Sequence, residues 1–88
     1  MITVLDFYAD WCGPCHAMDP ILQKVAKELA EKVTVEKVNV DLEQAKSQQF
    51  GVMSIPTLVI MKDGKEIDRR IGLLVEPVLK QWLEGHTQ

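Results

Sequence analysis

The chain has almost no sulfur to spare for structure. Its two cysteines, Cys12 and Cys15, are the only ones present. A small scaffold held together by several disulfides is therefore excluded. A bridge across so short a loop closes little entropy, worth about 2 kcal/mol before strain is subtracted. Aromatic residues are also scarce, at 6%. No apolar run approaches the ~20 residues a membrane-spanning helix needs, so no membrane partner is expected. Basic residues are outnumbered: 10 Lys and Arg against 13 Asp and Glu give a net charge of −3. With no basic patch, nucleic acid is not an expected partner either. The opening MITVLDFYAD lacks a basic n-region, and its apolar stretches are too short for a secretory leader. The chain is accordingly read as cytoplasmic. No repeat, linker or low-complexity run interrupts the 88 residues, which read as one domain, 1–88. In a reducing compartment, two cysteines point to redox chemistry or a metal.

What is present follows a regular alternation. ITVLDFYA (2–9) is β-branched, aromatic and nearly all apolar, the pattern of a central strand covered on both faces. Between 14 and 32, Met18, Ile21, Leu22, Val25, Ala26 and Leu29 recur at spacings of three and four, the stripe of an amphipathic helix. Pro20 removes one backbone donor inside it and predicts a kink. VTVEKVNV (33–40) alternates more, as a less covered strand does. DLEQAKSQQF (41–50) reads as a short polar helix with Asp41 as its N-cap and Gly51 at its end. TLVIM (57–61) is a third strand, KDGK (62–65) a hairpin turn, and EIDRRI (66–71) a charged edge strand. EPVLKQWLEG (76–85) is a last helix, with Val78, Leu79, Trp82 and Leu83 facing inward. The order β-α-β-α-β-β-α makes an α/β domain. The helix between the first two strands makes them parallel, and the last two strands form an antiparallel hairpin.

The cysteines lie in WCGPCH, residues 11–16. This spelling admits a working dithiol, part of a zinc site, or a haem attachment point. Haem would need a second axial ligand, for which Met18, Met53 and Met61 are the candidates, and mostly helical packing. The strand-rich pattern argues against it. Zinc would need four ligands, and beyond Cys12, Cys15 and His16 only the distant His86 is available. His86 lies near the end of the chain and reads as solvated. The dithiol reading has a physical basis. Cys12 follows a strand and precedes a helix, so it falls at the N-cap, whose side chain accepts from the amide at N2 or N3. N2 would be Pro14, which has no N–H, so the donor is the amide of Cys15. An anionic sulfur is favoured there by the unpaired donors and the positive helix end. Such a thiolate is a good nucleophile at neutral pH. Cys15 sits one turn in, within bridging reach because the backbone at Cys12 is not helical, and is expected to be the less exposed, resolving thiol.

Asp6 is the second unusual residue, an acid in the middle of an apolar strand on one face with Val4 and Tyr8. It is either a partnered carboxylate, with Lys37 as its partner, or a proton relay. Burial raises a carboxyl pKa and a nearby Lys lowers it. A carboxyl titrating near neutrality can accept the Cys15 proton.

VLDFYADWCGPC, VNVD, FGVMSIPTLVIMKDGK and the lone Gly72 together resemble the thioredoxin family over nearly the whole chain. The resemblance implies a thioredoxin-like fold, a four-stranded mixed sheet in order 2-1-3-4. Three helices flank it, the first and third on one face and the second on the other. It implies protein-disulfide reduction with Cys12 as nucleophile, Cys15 as resolving thiol and a redox disulfide between them. It also implies a cis Pro56 facing the cysteines, and a substrate groove formed by Trp11, Gly13, Pro14, Ile55, Pro56 and Gly72. Asp6 takes the buried acid position and Lys37 its neighbour. Disulfide-bearing proteins are the implied substrates and a thioredoxin reductase the implied electron donor, with no cofactor or metal. An oxidase, an isomerase or a redox-regulated binding module is the alternative within the same fold; Gly-Pro between the cysteines favours the reductant. The chain begins at what is normally the family's second strand, as in short thioredoxins. That makes 33–40 a sheet edge, guarded by Lys37, across which a dimer is the alternative to a monomer. His16 replaces the more usual Lys or Arg after the motif. It reads as a solvated surface residue or as a modulator of the dithiol.

Overall fold

The structure is a computed structural model that describes residues 1–88. In chain order its elements are β1 (Ile2–Tyr8), α1 (Gly13–Glu28), β2 (Val33–Asn39), α2 (Gln44–Gln49), β3 (Thr57–Lys62), β4 (Lys65–Ile71) and α3 (Glu76–Gly85). The strands form one sheet in the order β2-β1-β3-β4. β1 runs parallel to β2, from Ile2 opposite Val33 to Tyr8 opposite Asn39. β1 and β3 are antiparallel, with Asp6 opposite Leu58, and β3 and β4 close the hairpin with an irregularity at Ile60/Met61. The turn of that hairpin is Asp63-Gly64, at φ 52° and 79°. Two successive positive φ angles match the right-handed twist of the strands, and Asp-Gly tolerates them.

β1 is the central strand because both of its faces find apolar cover. Ile2 and Val4 pack with Met18, Leu22 and Val25 of α1 and with Leu79, Trp82 and Leu83 of α3. Leu5 and Phe7 point to the opposite face and pack with Val38, Val59 and Phe50, the residue that closes α2. Period-two alternation thus divides one apolar strand between two layers. α1 and α3 share a face and α2 takes the other, as the resemblance implies. No helix is long and apolar enough to cross a membrane.

Several boundaries differ from the sequence reading. α1 runs unbroken through Pro20 but ends at Glu28, and residues 29–32 form a turn in which Lys32 N and Val33 N both donate to Leu29 O. Asp41 is not a helix cap. Asn39 Oδ1 accepts from the amides of Asp41 and Leu42 at 2.9 and 3.3 Å, making an Asx turn that delays α2 to Gln44. Val78 is 48% exposed and drops out of the inner stripe of α3. His86 is half-buried instead of free in solvent, with its Nε2 2.9 Å from Asp68 Oδ2 on β4.

Candidate active site at the start of the first helix

β1 ends at Tyr8, and four residues later Cys12 caps α1 with extended backbone, φ −89° and ψ 105°. Its sulfur accepts a hydrogen bond from the Cys15 amide at 3.2 Å. Its carbonyl accepts from His16 N, and its amide donates to Ala9 O. Pro14 in the first turn supplies no amide, so the cap falls to Cys15 N, as the spelling predicts. No acidic side chain occupies that turn to compete with an anionic sulfur for the positive helix end. Cys12 and Cys15 form a disulfide, with Cα atoms 5.3 Å apart. Burial does not set the two residues apart: Cys12 is 4% exposed and Cys15 6%. What distinguishes them is position, one at the cap and one inside the first turn.

The residues around the pair converge only in part. Ile55 and Val40 pack against the small cluster of Ala9, Cys12 and Cys15. Trp11 is 71% exposed, and its Nε1 donates to Asp41 Oδ2 at 2.9 Å. Trp11, Val40, Val52, Met53, Ser54 and Ile55 line an open groove of about 310 Å³ beside the disulfide. The Ile55–Pro56 peptide is cis, and Pro56 O accepts from Gly72 N at 2.8 Å, which ties the β4–α3 connection to the same region. Gly72 itself has φ +94°, a backbone conformation L side chains rarely adopt. Gly13 and Pro14 lie in the first turn of α1, and Gly13 has open space where a side chain would stand.

Asp6 is buried, at 4% exposure, in the strand that leads to the cysteines. Lys37 is its cross-strand partner in register, but not its ionic partner. The Lys37 ammonium donates instead to Asp19 Oδ1 on α1, at 2.8 Å, and sits 4.5 Å from the centroid of the Tyr8 ring. The partnered-carboxylate reading of Asp6 is thereby corrected. Burial pushes the Asp6 carboxyl up to about 6, with Lys37 lowering it and Asp19 raising it. His16 is exposed, and its Nε2 rests on the carbonyl of Asp10, so its ring is turned back toward the 9–12 segment.

Two residues of this region escaped the sequence reading. Asp41 looked like a helix cap and is the anchor of Trp11. Asp19 carried no expectation and holds Lys37. A signal existed for Asp19: it lies four residues after Cys15, on the same face of the helix. The candidate zinc ligands are not gathered, because His16 turns to Asp10 and His86 to Asp68. The candidate haem methionines are also dispersed, Met18 in the α1 core and Met53 fully in solvent.

The chain is similar to known proteins in sequence and in fold. The family model described as Thioredoxin matches residues 1–85. The thioredoxin of Chlamydia caviae is 42% identical over 86 residues, covering 98% of this chain and 83% of that protein. That of Haemophilus influenzae is 45% identical over 83 residues, covering 94% and 78%. Among solved structures, a mutant thioredoxin from Halobacterium salinarum matches with a TM-score of 0.92 at 38% identity, covering 99% of this chain and 75% of that one. With this fold, this motif and these relatives, the chain belongs to the thioredoxin family of thiol–disulfide oxidoreductases.

Proposed function

We propose that this disulfide reductase works through Cys12 as nucleophile and Cys15 as resolving thiol. The observation that supports the division of labour is the N-cap: Cys12 Sγ accepts the Cys15 amide at the mouth of α1. In the reduced protein the same donor and the helix dipole favour a thiolate on Cys12. That thiolate attacks one sulfur of a substrate disulfide. A Cys12–substrate bond forms, the substrate bond breaks, and the first substrate sulfur leaves as a thiolate and takes a proton from water. The Cys15 thiol then gives its proton to the Asp6 carboxylate, directly or through water. Its sulfur attacks Cys12, the intramolecular disulfide closes, and the second substrate sulfur is released. Two electrons have passed to the substrate and the chain is oxidised.

Trp11, Gly13, Pro14, Ile55, Pro56 and Gly72 are proposed to receive the substrate. Its chain would lie along the groove beside Ile55 and pair with the exposed backbone there. His16, held on the Asp10 carbonyl, is proposed to modulate the dithiol. A thioredoxin reductase is the proposed donor of the two electrons, in a cytoplasmic setting, with the chain acting as a monomer.

The test is a pair of cysteine variants mixed with a disulfide-bonded protein such as insulin. Cys15→Ser is expected to accumulate a mixed disulfide through Cys12, seen as a mass adduct that dithiothreitol removes. Cys12→Ser is expected to trap nothing. Equal trapping by both variants would reverse or erase the assignment.

A further inference from the structure

Lys37 faces Asp6 across the β1–β2 pairing, and residues paired in this way point to the same face of the sheet. A lysine ammonium free to move beside a buried carboxylate is drawn onto it, since the attraction strengthens as water is excluded. Lys37 is held elsewhere. Its ammonium is bonded to Asp19 and stacked on Tyr8, and no ion pair joins it to Asp6. Asp19 reaches it from the next layer, on the face of α1 that carries Cys15. Two acids thus compete for one cation. The partly exposed acid holds it, and the buried acid is left without a hydrogen-bonding partner yet not fully sealed from solvent.

We propose that Asp19 is a positioning residue for the exchange reaction: it holds the Lys37 ammonium over Tyr8 and off Asp6, leaving the Asp6 carboxylate free to take the Cys15 proton. This inference rests on the relay role given to Asp6 above. The charged groups around Asp6 are Lys37 from β2 and Asp19 from α1, with the Tyr8 hydroxyl on β1 beside Lys37. From β3 its partner is Leu58, and α3 brings Leu79 and Leu83 to this side of the sheet, none of them charged. Removing the Asp19 charge acts twice in one direction. It withdraws a repulsion that favours protonated Asp6, and it releases a cation that favours ionised Asp6. Both lower the proton affinity of Asp6 and make it a weaker base.

The experiment follows the Asp6 carboxyl carbon by NMR through a pH titration of the oxidised protein. Four forms are compared: wild type, Asp19→Asn, Lys37→Met and the double variant. Asp19→Asn is expected to lower the Asp6 midpoint by about one unit. Lys37→Met is expected to raise it. In the Lys37→Met background, Asp19→Asn is expected to lose more than half of its effect, because no cation remains to be redirected. A midpoint unmoved by Asp19→Asn, or equal shifts in the two backgrounds, overturns the positioning role. A second measurement, the pH profile of mixed-disulfide resolution in single turnover, is expected to shift its acid limb with the NMR midpoint in Asp19→Asn. Asp6→Asn tests the relay separately: a resolution profile that it leaves unchanged removes the relay, and the role of Asp19 in the exchange falls with it.

Discussion

Asp6 occupies a position where an apolar side chain would pack without cost. It lies at 4% exposure on the face that Val4 and Ile2 share with α1 and α3. Burial raises its carboxyl to about 6, above the 3.8 of an unperturbed Asp. Between those values the native state binds more protons than the unfolded chain, so stability falls as pH rises from about 4 to about 6 and is level beyond. The shift corresponds to roughly 2–3 kcal/mol. Asp6→Asn is therefore expected to gain about that much stability at pH 8 and little at pH 4, as measured by urea denaturation with the disulfide intact. A variant no more stable at pH 8 than wild type would mean that the native carboxylate is not penalised. At this scale the sequence was informative where one chain segment decides the outcome. Pro14 leaves only the Cys15 amide to cap α1, and an acid amid Val4, Leu5, Phe7 and Tyr8 had to be buried. It was uninformative where side chains from two elements meet. Which acid Lys37 chooses depends on the rotation of α1 over the sheet, and no local pattern encodes that rotation.

The secondary-structure elements were legible wherever their periodicity was long, and blurred at their ends. Helix α1 was recognisable from its stripe, yet its last turn was overextended because Leu29 continues the spacing after the helix has stopped. Its apolar side chain still packs on the core from the turn. The start of α2 was misplaced because Asn39, read as strand, captures two amides that a cap at Asp41 would have left to the helix. α3 shows a different gap. It has no side-chain N-cap, and beyond its apolar packing it is tied to the sheet at its other end. There Asp68 of β4 accepts from Trp82 Nε1 at 2.8 Å and from His86 Nε2 at 2.9 Å. The Trp82 bond first, then His86, the Arg69 amide and the Arg70 charge hold the Asp68 carboxyl well below the usual carboxylate range. Because its folded value is depressed, the stabilisation is present above the ordinary carboxyl range of about 4 and is lost as pH falls below it. Asp68→Ala is expected to cost about 2 kcal/mol at pH 7, since it orphans the indole N–H. Urea denaturation followed by far-UV circular dichroism measures this. An unchanged midpoint would mean that α3 is held by Leu79 and Leu83 alone.

At the scale of the whole molecule, the topology was the most legible property of all. Alternating strands and helices, a single Asp-Gly hairpin and the family resemblance together imply the order β2-β1-β3-β4 that the structure has. The uneven division of the core was not legible. Eleven buried residues gather on the α1 and α3 side and four on the α2 side, so the short second helix covers the thinner layer. Most of the ion pairs, by contrast, lie at the surface, with Lys24–Glu76 and Lys80–Glu28 crossing between α1 and α3 at 3.0 and 3.3 Å. Exposed pairs contribute about 0–1 kcal/mol each and are screened by salt. Raising NaCl from about 0.1 to about 1 M is therefore expected to leave the urea midpoint nearly unchanged. A large drop would show that charge, not apolar packing, holds the layers together. One consequence concerns where the dithiol is anchored. The amide of Cys15 grips the Cys12 sulfur with the disulfide closed. The first turn of α1 is therefore fastened in the oxidised chain. The proposed electron traffic runs through a stretch from Cys12 to Cys15, mounted between the end of β1 and the first turn of α1.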